Sequence, residues 1–184
     1  MSKVVVVFHS GYGHTQRLAQ AVAQGAGAEL LAIDAEGNLP EGGWEALAAA
    51  DAIIMGSPTY MGTVSWQFKK FADASSKPWY TQAWKDKVFA GFTNSSNVNG
   101  DKASTLSYLH TLAMQHGGVW VGLGLAYHNT KDSKRSDVNY LAANAGLMGQ
   151  TASDAPADKM DAGDLETARL FGQRVAAVAG QLRG

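Results

Sequence analysis

Residues 9–15 read His-Ser-Gly-Tyr-Gly-His-Thr; they follow the apolar run Val4-Val5-Val6-Val7-Phe8 and precede a helical pattern that starts near Gln16. A buried strand that empties into a Gly/Ser/Thr loop and then a helix start gathers hydroxyls, backbone N–H groups and the positive helix end at one point, which suits a phosphate. The order strand, loop, helix is the opening of an α/β fold, and the loop is its first candidate binding site.

The remainder of the chain continues the alternation. Residues 3–8 read as a strand, 15–27 as a helix with Leu18, Ala21, Val22 and Gly25 on one face, and 29–33 as a second strand. Trp44, Leu47 and Ala48 suggest a short helix before a third strand at 52–56, whose unbroken apolar character fits a sheet covered on both faces. Val64, Phe68 and Phe71 mark the inner face of a helix over 64–75. A fourth strand at 87–93, a helix over 102–116 with Leu106, Leu109 and Ala113 inward, and a fifth strand at 119–123 follow. The final helix is capped by Asp161, carries Asp164 three residues on, and keeps Leu165, Ala168, Phe171, Val175, Val178 and Leu182 in helical spacing up to Gly184. Five strands interleaved with helices imply a doubly wound parallel sheet in a single domain over 1–184. Residues 124–160 are polar and aperiodic, as expected of a functional lid or a disordered segment.

Composition excludes several classes. A net charge of −1, from 15 basic and 16 acidic residues, gives neither the basic footprint of a nucleic-acid binder nor the acidic face of a docking electron carrier. Zero cysteines exclude disulfides, zinc thiolates and iron–sulfur clusters. The opening apolar run is too short for a signal core or a membrane span, so a soluble cytoplasmic protein with no membrane partner is expected.

In such a sheet ligands bind beyond the carboxyl ends of the strands, which singles out residues 10–15, 57–64 and 93–101. The second loop, S-P-T-Y-M-G-T-V, and the third, T-N-S-S-N-V-N-G-D, offer hydroxyls and amides around a flat slot edged by Tyr60, with no nucleophile–base pair. The first loop has neither G-x-x-x-x-G-K-[ST] nor G-x-G-x-x-G.

What remains, S-x-x-G-x-T, P-T-Y-x-G and a Ser/Asn/Gly loop, resembles the flavodoxin-like FMN proteins, and more narrowly the tryptophan-repressor-binding-protein (WrbA) type of NAD(P)H:quinone oxidoreductase. The resemblance covers residues 4–182. It implies a flavodoxin-like five-stranded sheet of order 2-1-3-4-5 with helices on both faces. Ser10, Gly11, Tyr12, Gly13, His14 and Thr15 would hold the FMN phosphate; Pro58, Thr59, Tyr60, Met61 and Gly62 would flank the ring. Thr93, Asn94, Ser95, Ser96, Asn97 and Gly100 would touch its pyrimidine side. Tyr12 would contact the nicotinamide and Trp79 would cover the substrate face; His128, from its place in the long loop and not from the resemblance, could approach the open face of a flavin. The implied activity moves two electrons from NADH or NADPH to a quinone by a ping-pong hydride route, with no catalytic side chain, in a homodimer or homotetramer. The sequence departs from the family at Tyr60-Met61, where the family has Arg-Phe, in the third loop, which lacks a run of glycines, and in the short stretch 33–51.

Plainer roles stand beside these. Ser10 and Thr15 also fit helix caps, Gly13 a positive φ, and Pro58-Thr59 an ordinary turn. Trp66, Trp79 and Trp84 also fit core or interface packing, and His128 a solvated surface. No histidine pair has metal-ligand spacing. Lys134 or Arg135 could meet a cofactor phosphate in a donor complex. A one-electron carrier and a non-enzymatic regulatory protein use the same architecture.

Overall fold

The computed structural model describes residues 2–183; Met1 and Gly184 lie outside the described residues, and with them the last step of the C-terminal helical pattern. The chain runs β1 (Val4–His9), α1 (His14–Ala26), β2 (Glu29–Ile33), α2 (Gly43–Ala49), β3 (Ala52–Tyr60), β4 (Thr63–Val64), α3 (Trp66–Ala74), α4 (Ser76–Tyr80), β5 (Val88–Ser95), α5 (Lys102–Gln115), β6 (Val119–Trp120), β7 (Leu147–Gln150), a 3₁₀ turn (Ala157–Lys159) and α6 (Ala162–Leu182).

The sheet order is β2-β1-β3-β5-β6, with every one of these pairings parallel. Because side chains alternate across a strand, β1 sends Val4, Val6 and Phe8 to one face and Val5 and Val7 to the other. Both sets are buried, which is why the strand reads as an unbroken apolar run. On the first face Ile54 and Phe92 meet Leu18 of α1 and Phe171 and Val175 of α6. On the second, Ile53, Met55 and Phe89 meet Phe68 and Phe71 of α3 and Leu109 of α5.

Seven strands are present where the sequence predicts five. One addition is a hairpin: β3 continues to Tyr60 and folds back as β4, with Thr59 opposite Val64 and Tyr60 opposite Thr63. Met61 (φ 46°) and Gly62 (φ 86°) make the turn in the left-handed region, the geometry that twists with the flanking strands. Val64 therefore belongs to a strand, and α3 starts two residues later, capped by Ser65, whose Oγ accepts the Phe68 N–H at 3.3 Å.

The other addition divides the fifth strand position. β6 pairs only with Val88 and Phe89; the chain then leaves the sheet and returns as β7 beside Phe92–Ser95. The expected disordered or lid-like segment 124–160 is thus tied to the body. Its centre is buried Asn139, whose side chain donates to the Leu125 and Ala143 carbonyls and accepts the Ala143 N–H, while its own N–H reaches Thr167 Oγ1 of α6 at 2.8 Å.

α1 and α6 pack backbone to backbone. A Cβ on Gly172 would overlap the Val22 carbonyl oxygen, and one on Gly25 would overlap the Arg169 carbonyl oxygen. Gly172→Ala gains about 1 kcal/mol of helix propensity, but the clashing atom is backbone and cannot turn aside, and overpacking of this kind costs about 1–3 kcal/mol. The clash is expected to win, leaving the variant less stable in urea unfolding; equal or greater stability would contradict this packing.

Candidate functional site

The three loops named from the sequence meet in a cleft of about 620 Å³ beyond the carboxyl ends of β1, β3 and β5. Tyr12, His14, Thr15, Pro58, Thr59, Tyr60, Met61, Gly62, Asn94, Ser95, Ser96, Asn97 and Gly100 line it. Ser10, Gly11, Gly13 and Thr93 are not part of that lining. Asp101, Thr151 and Ser153 also line the cleft; the last two come from the aperiodic segment, where no sequence signal points to them.

In the first loop, Ser10 Oγ accepts the N–H groups of Gly13 and Gln16, each at 3.1 Å, so it caps the helix entry. Gly13 (φ 87°) makes the turn into α1. Among the described residues the N–H groups of Tyr12, His14 and Thr15 and the Thr15 hydroxyl have no hydrogen-bond partner, and the first turn of α1 carries no acidic side chain. An anion at this helix end would find free donors, the positive end of the dipole and no repulsion. His14 itself is engaged elsewhere: Nε2 bonds the Ala155 carbonyl at 2.7 Å and draws residues 151–157 against the helix start.

The hairpin supplies the aromatic wall. The Tyr60 ring meets Tyr12 edge-on at 6.2 Å, and its hydroxyl lies over Gly11, where any Cβ would collide with it. Burial and the neighbouring Tyr12 phenol push the Tyr60 pKa up, against the pull of the Gly11 N–H. Beneath it, Thr59 Oγ1 bonds both Thr93 Oγ1 and Thr105 Oγ1 at 2.8 Å, locking the hairpin to β5 and α5. Thr93 is fully buried, so its hydroxyl holds Thr59 and faces no ligand.

The third loop closes around a residue the sequence reading missed. Lys102, fully buried, donates from Nζ to Ser95 Oγ (2.8 Å), the Asn97 carbonyl (2.7 Å) and the Val98 carbonyl (2.8 Å). Burial lowers its pKa to about 8; Asp164 acts to raise it and Arg135 to lower it. β7 braces the same loop: the Thr151 N–H donates to the Ser95 carbonyl, and Gln150 Nε2 to the Ser96 carbonyl at 2.7 Å. Gln150 is held in turn by buried Asp164, which accepts its N–H at 2.9 Å.

Three expected roles change. Arg135 is not free for a cofactor phosphate, because its guanidinium bonds both carboxylate oxygens of Asp164, at 2.7 and 2.5 Å. Trp79 sits on α4 beside His116 and Gly117, at the far end of α5 from Lys102, and so does not line the cleft of its own chain. Exposed His128 is also absent from the lining. Trp84 is a core residue, within 4.5 Å of His116 between ring centroids.

The family model for NADPH-dependent FMN reductase matches residues 3–131. Flavodoxin FldP of Pseudomonas aeruginosa is 57% identical over 182 residues, covering 99% of each chain. An NAD(P)H dehydrogenase (quinone) of Archaeoglobus fulgidus is 34% identical over 206 residues, covering 99% of this chain and 100% of its own. The crystal structure of a flavodoxin, WrbA-like protein from Agrobacterium tumefaciens is 59% identical, covers 98% of this chain and 99% of its own, and superposes with a TM-score of 0.82. The fold and site define a flavodoxin-like FMN protein of the WrbA type. The chain belongs to the NADPH-dependent FMN reductase family.

The residues present fit FMN. Unpaired donors at the α1 N-terminus suit its phosphate, the Tyr60 wall suits a planar ring, and the amides of Asn94 and Asn97 suit a polar ring edge.

The division of labour between the two hydroxyls can be measured. Ser10→Ala is expected to lower the stability of the FMN-free protein by about 0.5–2 kcal/mol through loss of the cap. Thr15→Val removes a hydroxyl without a partner and is expected to be neutral or slightly stabilising. Equal destabilisation by both substitutions in chemical unfolding would contradict the assignment.

Proposed function

We propose that this chain is an FMN-dependent oxidoreductase that carries two electrons from NADH or NADPH to a quinone or similar acceptor. The observation that carries the proposal is the convergence of three switch-point loops on one cleft, with free N–H donors at one end and a polar amide edge at the other. FMN, when bound, would supply the redox chemistry that links the nicotinamide donor to the quinone acceptor.

The chain's own residues bind, orient and shield. Tyr12, His14 and Thr15 would donate N–H groups to the phosphate, with the Thr15 hydroxyl beside them. Pro58, Thr59 and Tyr60 would fix the ring plane, the Thr59–Thr93–Thr105 hydroxyls making that wall rigid. Asn94, Ser96 and Asn97 would offer preorganised dipoles to the polar edge, where negative charge gathers on reduction. Of the ionisable side chains in the lining, Tyr12, His14, Tyr60 and Asp101, His14 is committed to the Ala155 carbonyl, and the chemistry assigned to the cofactor gives none of them an acid or base role. Exposed Tyr12 and Met61 flank the open side of the cleft, where an apolar acceptor would approach.

No helix of the described residues is long and apolar enough to cross a membrane, and we place the activity in the cytoplasm. Exposed Met61 in the cleft lining and exposed Trp66 at the start of α3 favour a homodimer or homotetramer that covers them. A second reading, a one-electron carrier, draws support from the name of the Pseudomonas relative, flavodoxin; the net charge of −1 speaks against a docking face of the usual acidic kind.

Anaerobic titration of the FMN-loaded protein distinguishes the two. Bleaching by NADH or NADPH followed by recovery with benzoquinone is expected, and flavin that ignores both nicotinamides would favour the carrier. Thr15→Val is expected to weaken FMN binding by roughly 10- to 150-fold, the loss of one hydrogen bond to a charged acceptor, about 1.5–3 kcal/mol. Unchanged affinity would put the phosphate elsewhere.

A further inference from the structure

Lys102 occupies a position that ordinary stability arguments disfavour. It is the first residue of α5, where the helix dipole repels a cation, and it is fully buried. Its pKa is pulled down to about 8, so the site penalises the charge it holds. The acceptors it gathers do not demand it either: Asn97 and Val98 are exposed, and water could satisfy their carbonyls. A charged group kept where it costs stability points to function.

The loop is built around that ammonium. Ser95 Oγ accepts from Nζ and donates to the Asn97 carbonyl, closing a ring of hydrogen bonds. Gly100 (φ 53°) lies so close to Ser95 Oγ that a Cβ there would overlap it. With the carbonyls of Asn97 and Val98 turned onto Lys102, the N–H groups of Ser96 and Asn97 have no partner among the described residues, and both residues line the cleft.

We infer that Lys102 is the positioning residue for the ring-binding loop: its ammonium draws the acceptors of residues 95–98 inward and leaves the Ser96 and Asn97 N–H groups free to meet the polar edge of the bound ring. This builds on the FMN reading above and assigns the loop's shape to a single cation beneath it. Lys102 need not touch the ligand.

The test compares Lys102→Met with the natural chain by three measurements: affinity for FMN and for riboflavin from fluorescence quenching, and the rise in melting temperature of the FMN-free protein with inorganic phosphate. A ring-positioning role weakens FMN and riboflavin by a similar factor, about tenfold or more, while phosphate stabilisation persists and the FMN-free melting temperature falls by no more than a few degrees. Lys102→Gln keeps two N–H donors without the charge and is expected to fall between; it decides by the same readings if the Met variant does not fold. Unchanged flavin affinity in a folded variant overturns the inference, as does joint loss of flavin affinity and phosphate stabilisation, which would make Lys102 a support of the whole cleft. A natural chain that binds neither flavin overturns the FMN reading, and this inference with it.

Discussion

β5 is buried along its length, and a buried strand must have the hydrogen-bonding groups of both edges satisfied. One edge is met by β3 over seven residue pairs, from Val88 to Asn94. The other edge is met in two pieces, β6 below and β7 above, because the chain leaves the sheet after Trp120 and returns only at Leu147. The site depends on this arrangement. The upper piece delivers Gln150 and Thr151 to the loop that follows β5, and it is pinned to α6 by Asp164, which Arg135 neutralises through a bidentate ion pair. Removing one partner of that pair would leave a buried or half-buried charge alone, the costly way to break a salt bridge.

The electrostatics of the cleft follow from the same architecture. The α1 N-terminus presents positive dipole and free donors without a carboxylate in its first turn. At the other side, the cation of Lys102 sits under the loop after β5. Both ends therefore favour electron-rich groups, and the Tyr60 wall between them suits a flat aromatic. Asp101, at the start of α5, is the acidic side chain named in the lining, on the Lys102 side of the cleft, while Asp164 is consumed by Arg135 and the Gln150 N–H.

Much of the fold was legible because the central strands are apolar on both faces: Val4–Phe8, Ala52–Met55 and the strand beginning at Val88 have few other ways to fold. The rule that ligands gather at the carboxyl ends of a parallel sheet then located three loops, and the structure unites them in one cleft. β7 was not legible. It has four residues, Leu147-Met148-Gly149-Gln150, with only two buried, inside a polar stretch, and its place is set by an unmet edge of β5 rather than by local pattern. Lys102 was missed for a related reason: a lysine at a helix start reads as solvated, and only the carbonyls that turn onto it show otherwise. Trp79 was expected at the substrate face by the resemblance alone, and the structure places it beside His116 and Gly117, away from the cleft of its own chain.

The central claim is that one FMN site spans the loops after β1, β3 and β5. The measurement that tests it most directly is a crystal structure of the FMN complex. The expected result has the phosphate at the N–H groups of residues 12–15, the ring beside Tyr60, and its pyrimidine edge on residues 94–97. Flavin bound at any other surface, with this cleft holding none, would contradict the account.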